Sequence, residues 1–284
     1  MPTPSPRPTF PVHVHDLPYR QLGERSLKAL MYVPEGAAGP FPAMLCLHGG
    51  AWISGDRTAT AYLAEEIAAC GIVVMAIDFR MAPRDPYPSS LLDINYAIRW
   101  LKQHAAEYSI DPKCIGGLGV SSGGHLILLA AMRPNDPRYA SAELQLNEYN
   151  AELSYIVTCS GVLDPLARYQ MAQAAAYAEI VACHRAYFGN EETMAEASPP
   201  LMLERGEPVF LPPLLMFQGG ADPRLPANTA ERTAGLYQAA GGMAEAHIYP
   251  AMGHALSEWG SAERADVLRR ISHFVAQQAQ VSAD

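Results

Sequence analysis

Apolar positions in this chain follow two distinct rhythms. Continuous apolar runs at 43–47, 72–77, 113–118, 155–159 and 214–217 have no polar alternation, which predicts strands buried on both faces. Between them, apolar residues recur every three or four positions. In 90–106, Leu91, Ile94, Ala97, Ile98 and Leu101 fall on one face of a predicted helix. Further helices are expected over 58–70, 124–132, 227–240 and 263–278, and a last strand over 246–249. Two opening strands, 12–19 and 26–33, are joined by a polar turn at Gln21-Leu22-Gly23-Glu24. Alternating strands and helices imply a parallel sheet covered on both faces, with the opening pair as an antiparallel edge. The fold class is therefore α/β. No repeat or internal boundary interrupts the pattern, so 1–284 reads as one domain. A helical insertion over about 164–208 is expected to form a lid.

The rest of the chain is organised around Gly119-Val120-Ser121-Ser122-Gly123. This G-x-S-x-G stretch lies between a predicted strand and a predicted helix. A tight strand-to-helix reversal strains the serine backbone and lifts its hydroxyl clear of the sheet. The N–H groups at the start of the helix are then available to hold negative charge. In a parallel sheet the active site lies beyond the carboxyl ends of the strands. His48-Gly49-Gly50, Ser121, Asp222 and His254 all fall at such ends.

A serine hydroxyl needs a base, and the base needs a carboxylate to fix its tautomer. His254, on the short loop after the last strand, is the candidate base. His13, His15, His247 and His273 are placed in strands, a helix or near the N-terminus, and His184 falls in the insertion, where it could touch substrate. Asp222 is the favoured carboxylate, following the strand that precedes the His254 strand; Asp164 is the rival. Each aspartate precedes a proline and could equally be a turn residue. The backbone N–H groups of Gly50, Ala51 and Ser122 are the candidate oxyanion donors. Trp52 and Leu256 flank these motifs and are candidates to line the substrate pocket.

Composition narrows the choice of partners. The chain has 284 residues, 49% hydrophobic and 17% charged, with a formal net charge of −9. No basic run appears, which argues against nucleic acid and anionic membranes as partners. The five cysteines show no C-x-x-C and no metal-ligand spacing; buried reduced thiols in a cytoplasmic protein account for them. The proline-rich 1–8 segment has no apolar core, is not a signal peptide, and reads as an extended arm.

The motifs together resemble α/β-hydrolases of the esterase/lipase group related to hormone-sensitive lipase. The resemblance rests on His48-Gly49-Gly50-Ala51-Trp52, Ser54-Gly55-Asp56, 78–83, Gly119-Val120-Ser121-Ser122-Gly123-Gly124, Asp222-Pro223 and Gly253-His254, and extends from about Met31 onward. It implies an α/β-hydrolase fold and a serine carboxylester hydrolase that acts on a small or medium acyl ester, with no metal or organic cofactor, and it allows a homodimer. Three departures stand out. Ala51 occupies the last position of the group's H-G-G-G motif. The elbow reads Gly-Val-Ser-Ser-Gly instead of G-D-S-A-G. The segment before the first strand is short beside the N-terminal cap of larger members, which leaves the 164–208 insertion to supply the lid. The His-Gly-Gly-x-Trp variant is also similar to bacterial feruloyl-type esterases and to arylformamidases, so an amide substrate is the alternative. A non-catalytic scaffold would be expected to lack one of the triad candidates, and no strongly apolar amphipathic helix supports a membrane-acting lipase.

Overall fold

The computed structural model describes residues 9–36, 38–140 and 148–283. The expected arm at 1–8 and the middle of the polar connection after 133 lie outside the described residues. One sheet is built from β1 (Val12–Leu22), β2 (Arg25–Pro34), β3 (Phe41–Leu47), β4 (Val73–Ile77), β5 (Ile110–Val120), β6 (Ile156–Cys159), β7 (Leu214–Gly219) and β8 (Ala244–Tyr249), with the five apolar runs forming the inner strands β3 to β7. Among the described residues the sheet has eight strands in the order β1-β2-β4-β3-β5-β6-β7-β8. The β1–β2 and β2–β4 pairs are antiparallel and the others parallel, as the alternation predicts.

The register aligns the carboxyl ends of the strands that carry the motifs. Leu47 of β3 pairs with Gly119 of β5, Val120 with Cys159 of β6, Cys159 with Phe217 of β7, and Gly219 with Tyr249 of β8. The loops leaving these ends carry His48 to Trp52, Ser121, Asp222 and His254, so residues far apart in the chain open onto one rim.

Alternate residues of each inner strand feed separate cores on the two faces. In β3, Ala43, Leu45 and Leu47 pack with α2 (Ser89–Gln103) and α3 (Ser122–Met132). Met44 and Cys46 face the other way, toward α1 (Ala61–Ala68) and α9 (Ser261–Ala283). Burying the α2 stripe of Leu91, Ile94, Ile98 and Leu101 contributes roughly 2 kcal/mol per side chain. Every residue of α3 is buried, which explains why that segment is apolar all round. Between β6 and β7 the chain forms α4 (Pro165–Ala174), α5 (Ala178–Phe188), α6 (Glu191–Glu196) and α7 (Pro199–Glu204), and α8 (Thr229–Ala239) follows β7.

Boundaries depart from expectation where side chains compete for the backbone. The first helix starts at Ala61, not 58, because Asp56 Oδ1 accepts from the amide and hydroxyl of Thr58 in a local turn. The closing helix extends to Ala283, beyond the point where its apolar pattern ends. Among the described residues no helix is long and apolar enough to cross a membrane.

The Asp78-Phe79-Arg80 stretch is a structural tie. Asp93, fully buried in α2, accepts from Arg20 Nη1 at 2.5 Å, Arg80 N at 2.7 Å and Arg80 Nε at 3.0 Å. Asp78 holds Arg57 through its amide at 2.9 Å and its guanidinium at 3.0 Å.

Candidate active site

The elbow follows from its residues. Ser121 has φ 53° and ψ −119°, a conformation that costs of order 1–3 kcal/mol and is kept by its surroundings. Its amide donates to Cys159 O at 3.0 Å, and its carbonyl accepts from Gly124 N and Val162 N, each at 3.0 Å. The reversal is so tight that a Cβ on Gly119 would lie 2.2 Å from Gly123 O. Glycine is therefore required before the serine.

Ser121 Oγ lies 2.9 Å from His254 Nε2, and His254 Nδ1 lies 2.7 Å from Asp222 Oδ2. A carboxylate only accepts, so the Asp222 contact puts the imidazole proton on Nδ1. Nε2 then offers a lone pair to the Ser121 hydroxyl. Asp222 Oδ1 accepts from Arg224 N at 2.8 Å, and the Asp222 side chain is fully buried. The His254 loop is held by Trp259, whose indole N–H donates to Gly253 O at 3.0 Å. The rival, Asp164, is engaged elsewhere. It caps α4 by accepting from Ala167 N at 3.0 Å and meets Arg232 Nη1 at 2.7 Å.

Beside Ser121 the loop after β3 turns through three consecutive positive φ values, 104° at Gly50, 51° at Ala51 and 64° at Trp52. A Cβ on Gly50 would lie 1.9 Å from Ser54 O, so this position admits only glycine. The amides of Gly50, Ala51 and Ser122 have no protein acceptor among the described residues. The hydroxyl of Ser122, which replaces alanine in the elbow motif, accepts from Trp52 N at 3.3 Å and so ties this loop to the elbow.

A cavity of about 390 Å³ opens over Ser121 and His254. Leu256 lines it together with Gly50, Ala51, Tyr62, Arg168 and Arg224. Trp52 does not. Its positive φ turns the indole away from the cavity into the core, where it is 1% exposed. There it stacks on Tyr187 at 5.5 Å, meets Phe188 and His184 edge-on at 5.0 Å, and donates from Nε1 to His125 Nδ1 at 3.2 Å. Trp52 thus anchors α5 to the loop that carries Gly50. His184 is also fully buried, with Nδ1 on Ile180 O at 2.8 Å, and does not reach the cavity. Burial pushes its pKa down to about 3.

Arg168, Arg224, Tyr62 and Trp259 did not stand out in the sequence. The first three line the cavity and Trp259 holds the His254 loop, from helices and loops whose patterns record only packing. His125 carried a weak signal, as a lone histidine inside an otherwise apolar helix.

The BD-FAE family model matches residues 30–235. Among curated relatives, the probable carboxylic ester hydrolase LipM of Mycobacterium tuberculosis is 36% identical over 129 residues, 45% of this chain and 30% of its own. Esterase LipC of the same organism is 31% identical over 194 residues, 67% of this chain and 47% of its own. The chain thus spans less than half the length of these relatives. A thermophilic esterase of Thermogutta terrifontis, solved with propionate bound, superposes with TM-score 0.73 at 26% identity, covering 96% of each chain. The hyperthermophilic esterase of Pyrobaculum calidifontis superposes with TM-score 0.75 at 21% identity, covering 95% of this chain and 87% of its own. The last of these speaks to the fold alone, that of α/β-hydrolase esterases.

Proposed function

We propose, of a chain that belongs to the BD-FAE family, that it is a serine carboxylester hydrolase acting on small or medium acyl esters. The observation that carries the reading is the relay of Ser121, His254 and Asp222 at 2.9 and 2.7 Å beneath unpaired amides. Ser121 Oγ attacks the ester carbonyl and passes its proton to His254 Nε2. Asp222 stabilises the imidazolium that results. The amides of Gly50, Ala51 and Ser122 hold the oxyanion, each donor contributing roughly 3 kcal/mol to the transition state. As the C–O bond breaks, His254 returns the proton to the departing alkoxide. Water, deprotonated by the same imidazole, then attacks the acyl-enzyme, and Ser121 recovers its proton as the acid leaves.

The names of the relatives favour an ester over the amide alternative. Helices α4 to α7 act as the lid, with Trp52 as their anchor. A cytoplasmic location is supported by the cysteines, all five of which are free thiols, with Cys46, Cys114 and Cys159 buried.

The test is hydrolysis of p-nitrophenyl acetate and butyrate beside an aryl formamide. Wild-type protein is expected to turn over the esters with the higher kcat/KM, and Ser121→Ala to lose that turnover while keeping its fold by circular dichroism. Ester turnover retained in Ser121→Ala, or a preference for the formamide, contradicts the proposal.

A further inference from the structure

The wall of the cavity over Ser121 holds an unusual charge. Arg168, on α4, is 3% exposed. The other arginine buried as deeply among the described residues, Arg20, meets the carboxylate of Asp93. Arg168 instead donates from Nε to a backbone carbonyl, Arg224 O, at 2.9 Å, and its Nη1 is buried with no partner. The carboxylate that acts on it electrostatically is Asp222, whose oxygens are taken by His254 Nδ1 and Arg224 N. Burial pushes the guanidinium pKa down to about 10, so the group stays cationic at neutral pH. A desolvated charge without a counterion destabilises a fold, and the usual arrangement for a buried cation is a paired one.

Its surroundings indicate what would supply the missing charge. Arg168 and Ser121 line the same cavity, and Arg224 joins them at the exposed rim. Among the described residues no aspartate or glutamate lines that cavity, although acidic residues outnumber basic ones, 29 to 20, in the whole chain. A cationic wall in an acidic protein, lining the same cavity as the nucleophile, favours an anion on the substrate. The planar fork of a guanidinium matches a carboxylate, which it can hold through two parallel N–H bonds.

We propose that this cavity selects esters that carry a free carboxylate, with Arg168 as the residue that binds it and Arg224 guiding it at the rim. The inference rests on the esterase reading and adds a substrate class to it. The carboxylate is a spectator: the ester bond is cleaved by water through Ser121, and the second acid group remains ionised throughout.

The experiment uses matched esters that differ only in that group. On the acyl side, mono-p-nitrophenyl adipate is compared with p-nitrophenyl hexanoate; on the alcohol side, 4-acetoxybenzoate is compared with 4-acetoxytoluene. In wild-type protein at least one pair is expected to favour its anionic member by about tenfold to a hundredfold in kcat/KM, the range of a charge-assisted hydrogen bond. The anionic-to-neutral ratio should fall toward about one in Arg168→Gln, and part of the way in Arg224→Gln, which alters only an exposed side chain. A purely structural Arg168 would lower both members equally and leave the ratio unchanged, which overturns the proposal. So does a wild-type enzyme that hydrolyses the neutral esters with no preference in either pair, an outcome that leaves the esterase reading intact. If no ester is turned over, fluorophosphonate labelling of Ser121 gives a second readout. Protection by hexanoate but not by hexanamide supports the anion site, and equal protection or none overturns it. Absence of both turnover and labelling removes the esterase reading and this inference together.

Discussion

Acidification should weaken this fold through a particular hydrogen bond, the one between Trp52 and His125. An indole N–H can only donate, so His125 Nδ1 must be the acceptor in its 3.2 Å contact with Trp52 Nε1. The proton then sits on Nε2, which donates to Ala197 O at 2.8 Å. A second proton would set two N–H groups against each other in a fully buried site. Burial pushes the His125 pKa down from 6.5 to about 4, against the opposing pull of the Ala197 carbonyl. His184 is pushed down to about 3 and His48 is lowered, again chiefly by burial. In the folded protein each resists the proton that the unfolded chain takes up below 6.5. The stability they contribute is therefore complete above pH 6.5 and is lost as the pH falls, for His125 down to about 4. One such histidine gives a slope of about 1.4 kcal/mol per pH unit. Between about pH 7 and about pH 5 the loss from His125 is about 2 kcal/mol. Carboxylates titrate mostly below that window, so histidine dominates it. In His125→Gln the amide can still donate to Ala197 O and accept from Trp52, but it does not titrate. Urea unfolding followed by circular dichroism at the two pH values should show wild-type protein losing about 2 kcal/mol more than the variant. Parallel losses in the two proteins would refute the reasoning, because His125 would then titrate alike in the folded and unfolded states.

Other consequences follow from the same contacts. Asp222→Asn should keep the fold and lower kcat on p-nitrophenyl butyrate by roughly 10⁴-fold, through loss of the required His254 tautomer; steady-state kinetics checks this. Asp93→Asn leaves Arg20 and Arg80 without their buried counterion and should cost about 3–5 kcal/mol in chemical denaturation. Gly50→Ala must move the loop away from Ser54 O, and its kcat/KM should fall by at least about a hundredfold, the effect of one lost oxyanion donor.

The sheet was legible because strands buried on both faces must be apolar at consecutive positions, as the 43–47 and 72–77 runs are. The relay was legible for a related reason: in a parallel sheet the loops after the strands meet on one rim, so placing Ser121, Asp222 and His254 after their strands nearly places them together. Chain order favoured Asp222 over Asp164, but each precedes a proline after a strand, and it is the pairing in space that separates the α4 cap, Asp164, from the His254 partner, Asp222. The side of the loop to which Trp52 turns is set by positive φ values at Ala51 and at Trp52 itself, which residue type does not announce. The hydroxyl of Ser122 and the Arg168 guanidinium, with its Nη1 left without a partner, depend on what lies across a gap, and hydrophobic periodicity carries no record of that. Helix boundaries slipped where a side chain such as Asp56 competed for the backbone.

The most direct test of the account is mass analysis of protein quenched during turnover of p-nitrophenyl butyrate. The account predicts one butyryl group, carried on the peptide that contains Ser121, accumulating in wild-type protein and absent from Ser121→Ala. Acylation at any other residue, or acylation that persists in Ser121→Ala, would contradict it.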